Sequence, residues 1–373
     1  MSKTNHSWYT IHNIDQIDTP ALVVYPQRVK ENIRLLKNMI DDPKRLRPHV
    51  KTHKTKEATL LMMDAGINKF KCATIAEAEM LGICKARDVL LAYPVFGPKA
   101  KRLITLTKQY PDTRFSCLVD NLSSAKQISE LAFDNDLTLD VFIDLNVGMN
   151  RTGINPGEEA VQLYEACAKL KGIKVVGFHA YDGHIREKNI EKRTLISEKT
   201  FTPVENMRLK LNEKGYKEIK IIMGGSPTFP IYAKHKDVEC SPGTFVFWDK
   251  GYQESLPEQP FLPAALTITR VISLPGETKL CLDLGYKSVA SENDLNHRVY
   301  FLNAPHLKIV KQSEEHLVVE VPVGHSWKVG DLLYGLPIHI CPTCALYEYA
   351  IIVEENKATD IWKIIARDRK IEI

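Results

Sequence analysis

The sequence lacks the features that direct a chain into or across a membrane. Its first residues, MSKTNHSWYT, contain no apolar core of a signal peptide, and no stretch approaches the roughly 18 apolar residues of a membrane span. No run of like charges is present, and the formal net charge is only +4 over 373 residues, which argues against a nucleic-acid arm or a polybasic membrane patch. We therefore expect a cytoplasmic protein that binds neither nucleic acid nor membrane.

The sequence also lacks a disulfide framework, internal repeats and low-complexity segments. Its eight cysteines are scattered, several of them inside apolar runs such as FSCLVD and TKLCLDL, which is typical of reduced thiols in a protein core. No GxGxxG follows the first apolar run, and this argues against a dinucleotide-binding fold.

The first two-thirds of the chain alternates short β-rich runs with helical patterns. Val29, Ile33, Leu36 and Ile40, for example, recur at the spacing of one helix face. The β-rich runs are ALVVY, KFKCATI, DVLLAYPV, FSCLVD, LDVFIDLNV, IKVVGFHAY, IKIIMGG and VECSPGTFVFW, together with RLRPHVK. Roughly eight strand–helix units of this kind predict a (β/α)8 TIM-like barrel, with a doubly wound open sheet as the alternative.

The last third has a different texture, with strand-like runs separated by turns and no long helical period. The run LCLDL, for instance, alternates apolar and polar positions as a half-buried strand does. The proline-rich stretch at 253–263 is the predicted linker. We therefore predict an α/β plus all-β protein, with a barrel at 1–257, whose first residues can pack on the second domain, and a β domain at 258–373.

The stretch RPHVKTHK packs five basic or imidazole side chains into eight residues. If it is a strand, its alternate side chains Arg47, His49, Lys51 and His53 share one face. Lys51 would then lie among cations, which lower the pKa of a lysine and favour the neutral amine that Schiff-base chemistry needs. The alternative is a set of phosphate or carboxylate binders, or a basic rim on the surface.

Two glycine-containing loops, GGSPT (224–228) and SPGT (241–244), follow the last predicted barrel strands. Such loops bring backbone N–H groups close to an anion, although tight turns have the same composition. The candidate phosphate-binding residues are Gly225, Ser226, Thr228, Gly243 and Thr244. Together with an activatable lysine, the two loops fit pyridoxal 5'-phosphate. Arg151, after the turn in DLNVGMNRTG, is a candidate partner for an anionic oxygen of cofactor or substrate.

Four motifs in this order, DTPALVVY, RPHVKTHK, NVGMNRTG and PIHICPT, resemble the pyridoxal-phosphate enzymes built like alanine racemase. Within that group the chain resembles the D-threonine aldolase and D-serine dehydratase family, over nearly its whole length. The resemblance implies Lys51 as the Schiff-base lysine, Arg151 near the cofactor oxygen, and the two glycine loops as the phosphate cup. It also implies a homodimer.

His339 and Cys341 form an H-x-C pair on a predicted strand, so they share a face. Imidazole and thiolate suit zinc, but two ligands seldom hold a structural ion and the pair also arises by chance. The resemblance strengthens the assignment, because it implies a divalent metal bound through this motif beside the cofactor, zinc first and manganese or magnesium as alternatives. Such a metal acidifies the substrate's β-hydroxyl or makes it a better leaving group. Cys344, which completes a CxxC, is interpreted as structural.

The run FHAYDGHI supplies two further candidates at a strand end. His184 is a candidate base or water-positioning group, and Tyr181 a candidate to face the cofactor ring; ordinary packing or a surface loop is the alternative for each. We place both among the catalytic residues with Lys51.

Four functions fit these motifs. The first is aldol cleavage of a 3-hydroxy-D-amino acid such as D-threonine to glycine and an aldehyde, favoured by AYDG. The second is elimination from D-serine or 3-hydroxy-D-aspartate to a keto acid and ammonia, favoured by the cysteine of H-x-C. The third is amino-acid racemisation, suggested by the GY pair at 285–286, and the fourth is a non-catalytic cofactor-binding protein. We predict a pyridoxal-phosphate- and metal-dependent lyase with aldol cleavage favoured.

Overall fold

The computed structural model describes residues 7–373, and these separate into two compact units. The barrel unit contains residues 34–51, 59–243 and 368–373, and the sheet unit contains residues 7–33, 52–58 and 244–367. No helix within residues 7–373 is long and apolar enough to cross a membrane. The boundary between residues 257 and 258 stays a prediction from the sequence.

Strands and helices are numbered along the chain, beginning with β1 at Ala21–Val24 and α1 at Pro26–Asn38. Seven parallel strands follow in the barrel unit: β2 Lys69–Cys72, β3 Asp88–Pro94, β4 Arg114–Val119, β5 Leu139–Asp144, β6 Ile173–His179, β7 Lys220–Met223 and β8 Val238–Cys240. The intervening helices are α2 Lys56–Asp64, α3 Ile75–Ile83, α4 Pro98–Gln109, α5 Leu122–Phe133, α6 Glu158–Cys167, α7 Ile190–Glu213 and α8 Phe229–Tyr232. Each strand pairs with its neighbours in sequence order, as in a βα barrel.

The segment 46–49 closes this sheet into a barrel. Leu46 bridges Cys240 on the last strand, and His49 bridges Lys71 on the first, both in parallel. Backbone bonds run from Arg47 N to Cys240 O and from Lys71 N to Pro48 O, each 2.8 Å long. The predicted (β/α)8 barrel is therefore confirmed and the open sheet is excluded.

The closing segment is not the regular strand that the sequence predicted. Proline at position 48 has no N–H to donate, so pairing is reduced to isolated bridges, and residues 50–53 form a turn. The predicted alternation across Leu46–His53 is therefore wrong from Val50 onwards, and Lys51 follows the strand position rather than lying within it.

Local sequence signals explain where the barrel helices begin. The side chain of Thr74 accepts the backbone N–H of Glu77 at the start of α3, and Asn121 accepts that of Ser124 at the start of α5. Gly177 on β6 allows a close strand approach, because a Cβ there would lie 2.0 Å from the carbonyl oxygen of Lys220. The two caps therefore satisfy backbone N–H groups at the helix starts, and Gly177 permits the close approach of β6 to β7.

The sheet unit is built on a nine-stranded mixed sheet, which confirms the predicted β domain. Its later strands are β9 Ala265–Gly276, β10 Lys279–Leu282, β11 Val299–Phe301, β12 Lys308–Gln312, β13 Leu317–Glu320, β14 Leu332–Pro337, β15 Tyr349–Glu354 and β16 Lys357–Lys363, with helices α9 Lys250–Ser255 and α10 Ile340–Cys344. The early strand β1 lies between β9 and β15 in this sheet, antiparallel to the first and parallel to the second. Its four residues are fully enclosed, which explains the continuous apolar run ALVV.

Candidate active site

The barrel unit contains a cavity of about 590 Å³ at the carboxyl ends of its strands. The cavity is lined by His49, Lys51, Lys71, Ala73, Thr74, Ala92, Tyr93, Pro94, Arg151, Thr152, His179 and Tyr181. This is the end of a βα barrel at which substrate-binding and catalytic side chains collect. Three of the predicted site residues, Lys51, Arg151 and Tyr181, are therefore brought together.

The cavity carries an excess of cations. Lys51, Lys71 and Arg151 line it, and no carboxylate is among the lining residues of the described chain. A concave site with three cationic side chains favours a ligand that carries more than one negative charge, because opposite charges in a partly desolvated site attract strongly. The cavity thus fits an anionic ligand.

Lys51 is exposed and reaches the cavity from the turn after the closing segment. Its backbone N–H lies 3.3 Å from Nδ1 of His49, whose ring also lines the cavity. Arg47 does not share this position: it is fully buried, with ion pairs to Asp88 and Glu239 of 2.6 and 2.7 Å. The charge of Arg47 is therefore neutralised in place, contrary to the prediction that it crowds Lys51.

His53 is the other departure from the predicted face. It belongs to the sheet unit, where it is 1% exposed and packs edge-on against Phe247. Burial lowers the pKa of His53 to about 3, so the imidazole is neutral. His53 is a core residue rather than a contributor of positive charge.

Lys71 is a functional candidate that the sequence interpretation missed. Its side chain is 2% exposed, and Nζ lies 2.5 Å from Oγ of Ser241 and 5.3 Å from the ring centroid of Tyr181. Burial, with the charge of Lys51 as the second cause, lowers the pKa of Lys71 to about 7. The available signal was a charged residue in the middle of a strand whose neighbours are apolar.

His179 and Asp144 form a second group that the motifs did not fully identify. The Asp144 carboxylate accepts a hydrogen bond from the Thr152 hydroxyl at 2.8 Å and is bonded to Nδ1 of His179 at the same distance. Burial lowers the pKa of His179, which favours a neutral ring with its proton on Nδ1. The buried Nε2 then presents a lone pair and has no hydrogen-bond partner among the described residues.

The Arg151 loop is positioned by its own polar residues. The Asn146 side chain accepts the backbone N–H groups of Gly148 and Asn150, and Asp120 accepts that of Gly153. The Arg151 guanidinium carbon lies 5.3 Å from the ring centroid of Tyr181, and Nζ of Lys71 lies at the same distance from that centroid. Two cationic side chains thus lie near the Tyr181 ring on the cavity wall.

The predicted phosphate loops lie behind this wall. All five predicted residues, Gly225, Ser226, Thr228, Gly243 and Thr244, are buried, and none is among the described residues that line the cavity. The loops meet where Gly243 N lies 3.4 Å from Ser226 Oγ. A Cβ on Gly225 would lie 3.2 Å from the Tyr181 ring, so a larger residue here would require the ring to shift by a few tenths of an ångström.

His184 is exposed and is not among the cavity-lining residues of the described chain. Its imidazole lies against Gly148, where a Cβ would be 2.6 Å from Nε2 and where φ is +122°. The structure therefore places His184 beside the Arg151 loop, and its catalytic role stays a prediction.

His339 and Cys341 lie in the sheet unit, at the end of β14. They are not on a strand as predicted: His339 is the N-cap of α10, and Cys341 is in its first turn. The Cys341 thiol lies 3.1 Å from Oγ1 of Thr52 and 3.6 Å from Oγ1 of Thr244, all within this unit. Nδ1 of His339 is bonded to the Glu292 carboxylate.

The His339–Cys341 pair offers an imidazole nitrogen and a sulfur, which are common metal ligands, but a pair supplies fewer ligands than most metal sites have. Burial opposes the charged form of His339, but the Cys341 thiol, Glu292 and Asp249 outweigh it and raise the pKa of His339 to about 9. Within residues 7–373 no group of three or more His, Cys, Asp or Glu side chains is arranged to hold an ion. Any metal here would take its remaining ligands from water or substrate.

Comparison with known proteins covers both parts of the chain. The family model for the alanine racemase N-terminal domain matches residues 24–250, and a model for a serine dehydratase domain matches residues 264–353.

Full-length relatives are similar throughout. A D-threonine aldolase of Arthrobacter sp is 26% identical over 358 residues, covering 94% of this chain and 93% of that protein. A 3-hydroxy-D-aspartate aldolase of Paracoccus denitrificans is 25% identical over 371 residues, covering 95% and 93%. The crystal structure of a D-threonine aldolase from Filomicrobium marinum matches with a TM-score of 0.88 at 24% identity, covering 97% of this chain and 98% of that one. At that identity the structural match shows a shared fold.

Proposed function

The chain belongs to the family of the alanine racemase N-terminal domain, and on that premise we propose that it is a pyridoxal-phosphate- and metal-dependent lyase of 3-hydroxy-D-amino acids. The favoured reaction is aldol cleavage, with D-threonine as the model substrate and glycine and acetaldehyde as products. The full-length similarity to two aldolases supports this assignment. The observation that carries it is the cation-rich cavity into which Lys51 presents its amine.

The cavity fits pyridoxal phosphate on three observations. Lys51 supplies a primary amine for the aldehyde, and Lys71 and Arg151 supply partners for anionic oxygens. Nε2 of His179 is a buried polar atom without a hydrogen-bond partner among the described residues, which is costly unless a ligand satisfies it. The third observation is the close approach of Gly225 to Tyr181 on the cavity wall, where a Cβ would lie 3.2 Å from the ring.

When bound, pyridoxal phosphate supplies an electron sink that weakens the bonds to the substrate's Cα. The chain's own residues bind and orient. Lys51 would hold the cofactor's aldehyde group through Nζ and could accept or donate a proton there, and Arg151 would bind an anionic oxygen. Tyr181 and His179 would border the ligand, and the bond from Asp144 to Nδ1 of His179 leaves Nε2 to accept a hydrogen bond.

We propose that a divalent metal would be held by Nε2 of His339 and by the Cys341 thiolate. Zinc is the favoured ion. Glu292 engages Nδ1 of His339, which leaves Nε2 for the ion, as in carboxylate–histidine–metal arrangements. Such a metal supplies Lewis acidity for the hydroxyl group of the substrate. Within residues 7–373 no third His, Cys, Asp or Glu completes the group, so water or substrate would supply the remaining ligands.

Elimination from D-serine or 3-hydroxy-D-aspartate is the second candidate function. The match of residues 264–353 to a serine dehydratase domain favours it, as does the cysteine in the H-x-C motif. The two reactions share the cofactor, the lysine and the metal, so their products discriminate between them.

The test is a product assay on the protein reconstituted with pyridoxal phosphate and zinc. With D-threonine we expect glycine and acetaldehyde, no turnover of L-threonine, and loss of activity with a chelator that added zinc restores. Keto acid and ammonia from D-serine or 3-hydroxy-D-aspartate would instead establish elimination. Racemisation of alanine that resists the chelator would overturn the lyase assignment, and so would a protein that binds pyridoxal phosphate but turns over none of these substrates.

The homodimer and the cytoplasmic location stay predictions from the sequence. The catalytic role of His184 is tested by His184→Gln in the same assay: a fall in kcat of about a hundredfold or more would support a role as general base.

A further inference from the structure

Lys71 links the parts of the barrel that surround the cavity. Its backbone N–H donates to Pro48 O at 2.8 Å, and its carbonyl accepts from Val50 N at 2.9 Å, so it holds both sides of the segment that leads to Lys51. Its amine donates to Ser241 Oγ. Ser241 N in turn donates to Gly224 O at 2.9 Å, where the two glycine loops meet.

The amine of Lys71 is buried yet borders the cavity. Lysine is almost never fully buried without a charged partner, and here the bonded partner is a neutral hydroxyl. Two cations, Lys51 and Arg47, disfavour its ammonium form, and two carboxyl groups, Asp144 and Asp182, favour it. The other titratable groups on the cavity wall are His49, Tyr93, Arg151, His179 and Tyr181. A bound anion would compensate the positive charge of the buried Lys71 ammonium group.

We propose that Lys71 is a charge-switching anion-binding residue, whose amine holds an anionic group of the cavity's ligand while protonated and loses that hold when it releases the proton to water. The switch breaks one Nζ–H bond and changes the cavity's charge by one unit, with Ser241 Oγ still accepting from the neutral amine. The ligand class is an organic phosphate or carboxylate. The inference uses the cavity of the proposed function but does not require its chemistry.

The change falls near neutral pH, because burial and Lys51 lower the pKa of Lys71 to about 7 in the empty cavity. A bound anion shifts the proton equilibrium towards the ammonium form, so the loss of affinity begins near pH 7 and extends towards pH 9.

The test measures dissociation constants of pyridoxal phosphate for the cofactor-free protein, from pH 6 to pH 9, in three proteins. Lys71→Met has no charge at any pH, and Lys71→Arg keeps its charge at every pH. Ionisation of the phosphate affects all three proteins alike and cancels in ratios, and at pH 6 wild type and Lys71→Arg carry the same charge beside Lys51. Wild type should match Lys71→Arg at pH 6, bind roughly ten- to a hundredfold more tightly than Lys71→Met, and approach Lys71→Met by pH 9.

The proposal would be overturned if the ratio of the dissociation constants of wild type and Lys71→Met were the same at every pH. A purely structural role of Lys71 predicts a ratio that does not depend on pH. If circular dichroism shows that Lys71→Arg does not fold, the ratio of the dissociation constants of wild type and Lys71→Met across the pH range decides between the two outcomes.

Inorganic phosphate, titrated against the same proteins by calorimetry, separates this proposal from the proposed function. If no protein binds pyridoxal phosphate while phosphate binding still switches with pH, the cofactor assignment fails and the role of Lys71 stands. If pyridoxal phosphate binds with equal affinity to wild type and Lys71→Met, the cofactor assignment stands and Lys71 has no such role.

Discussion

The cationic side chains at the two ends of the barrel differ in whether carboxylates accompany them. At the end where strands begin, Arg47 and Lys69 are paired with Asp88 and Glu239; we call these four residues the ion cluster. At the end where strands finish, Lys51, Lys71 and Arg151 face the cavity with no carboxylate among its described lining residues. The ion cluster is therefore complete in itself, whereas the cavity has positive charge for a ligand to neutralise.

The same short stretch of sequence serves both ends. Within RPHVKTHK, Arg47 enters the ion cluster and Lys51 enters the cavity, four residues later. Burial alone would lower the pKa of Arg47, but Glu239 and Asp88 raise it above its ordinary value. Lys71, buried without an ion pair, has its pKa lowered instead. Burial thus stabilises or destabilises a cation according to whether a carboxylate accompanies it.

Removing the Lys51 side chain should have the largest effect, and that effect should be on turnover and not on stability. Lys51→Ala removes the amine proposed to hold the cofactor's aldehyde, so turnover should fall by more than about a thousandfold, or about 4 kcal/mol of transition-state stabilisation. Because Lys51 is exposed, the free energy of unfolding should change by about 0.5 kcal/mol or less. Absorbance with pyridoxal phosphate, turnover and urea unfolding check the three statements. An active Lys51→Ala would remove the cavity from consideration as the active site.

Removing Arg47 should have the next largest effect, on stability. Arg47→Met leaves the buried carboxylate of Glu239 and the partly buried carboxylate of Asp88 without their main partner, which should cost about 3–5 kcal/mol in the free energy of unfolding. Activity per folded molecule should stay close to wild type. Chemical denaturation monitored by circular dichroism measures the loss, with Arg47→Lys as the control that keeps the charge. A cost below about 1 kcal/mol would show that the ion cluster does not stabilise the barrel.

Removing the charge of Lys71 should stabilise the protein at neutral pH. The folded-state pKa of about 7 lies below the unfolded value of 10.5, so between these pH values the unfolded chain binds more protons and the stability of wild type rises with pH. Lys71→Met should therefore gain on the order of 1–4 kcal/mol over wild type at pH 7, and the gain should shrink towards pH 10.5. Urea unfolding of both proteins at pH 7 and pH 10 measures it. A difference that does not change with pH would mean that Lys71 is charged in the folded protein.

The sequence predicted the barrel elements better than the surroundings of Lys51. Strands and helices of the barrel follow from hydrophobic periodicity, which reports burial directly. The position of Lys51 followed from its motif. Its neighbours were misjudged because the alternation rule assumes a regular strand, and the chain turns at Val50. The same rule placed His339 and Cys341 on a strand, where a helix begins instead.

Lys71 and Asp144 were missed for a different reason. Both lie on strands whose residues are nearly all buried, so periodicity cannot tell which side chain points into the barrel. The bonds that make them informative, to Ser241 and to His179, join residues 170 and 35 positions apart. Such contacts depend on the closed barrel and have no local signal.

The smallest expected effect separates the members of the ion cluster. Lys69 contacts Glu239, but its side chain is 30% exposed, whereas that of Arg47 is fully buried. Water screens the Lys69 pair and can solvate Glu239 if the lysine is lost, so Lys69→Met should cost no more than about 1 kcal/mol in the free energy of unfolding. Denaturation beside Arg47→Met measures the difference. Equal losses in the two variants would show that the burial of Arg47 does not set the stability of this end of the barrel.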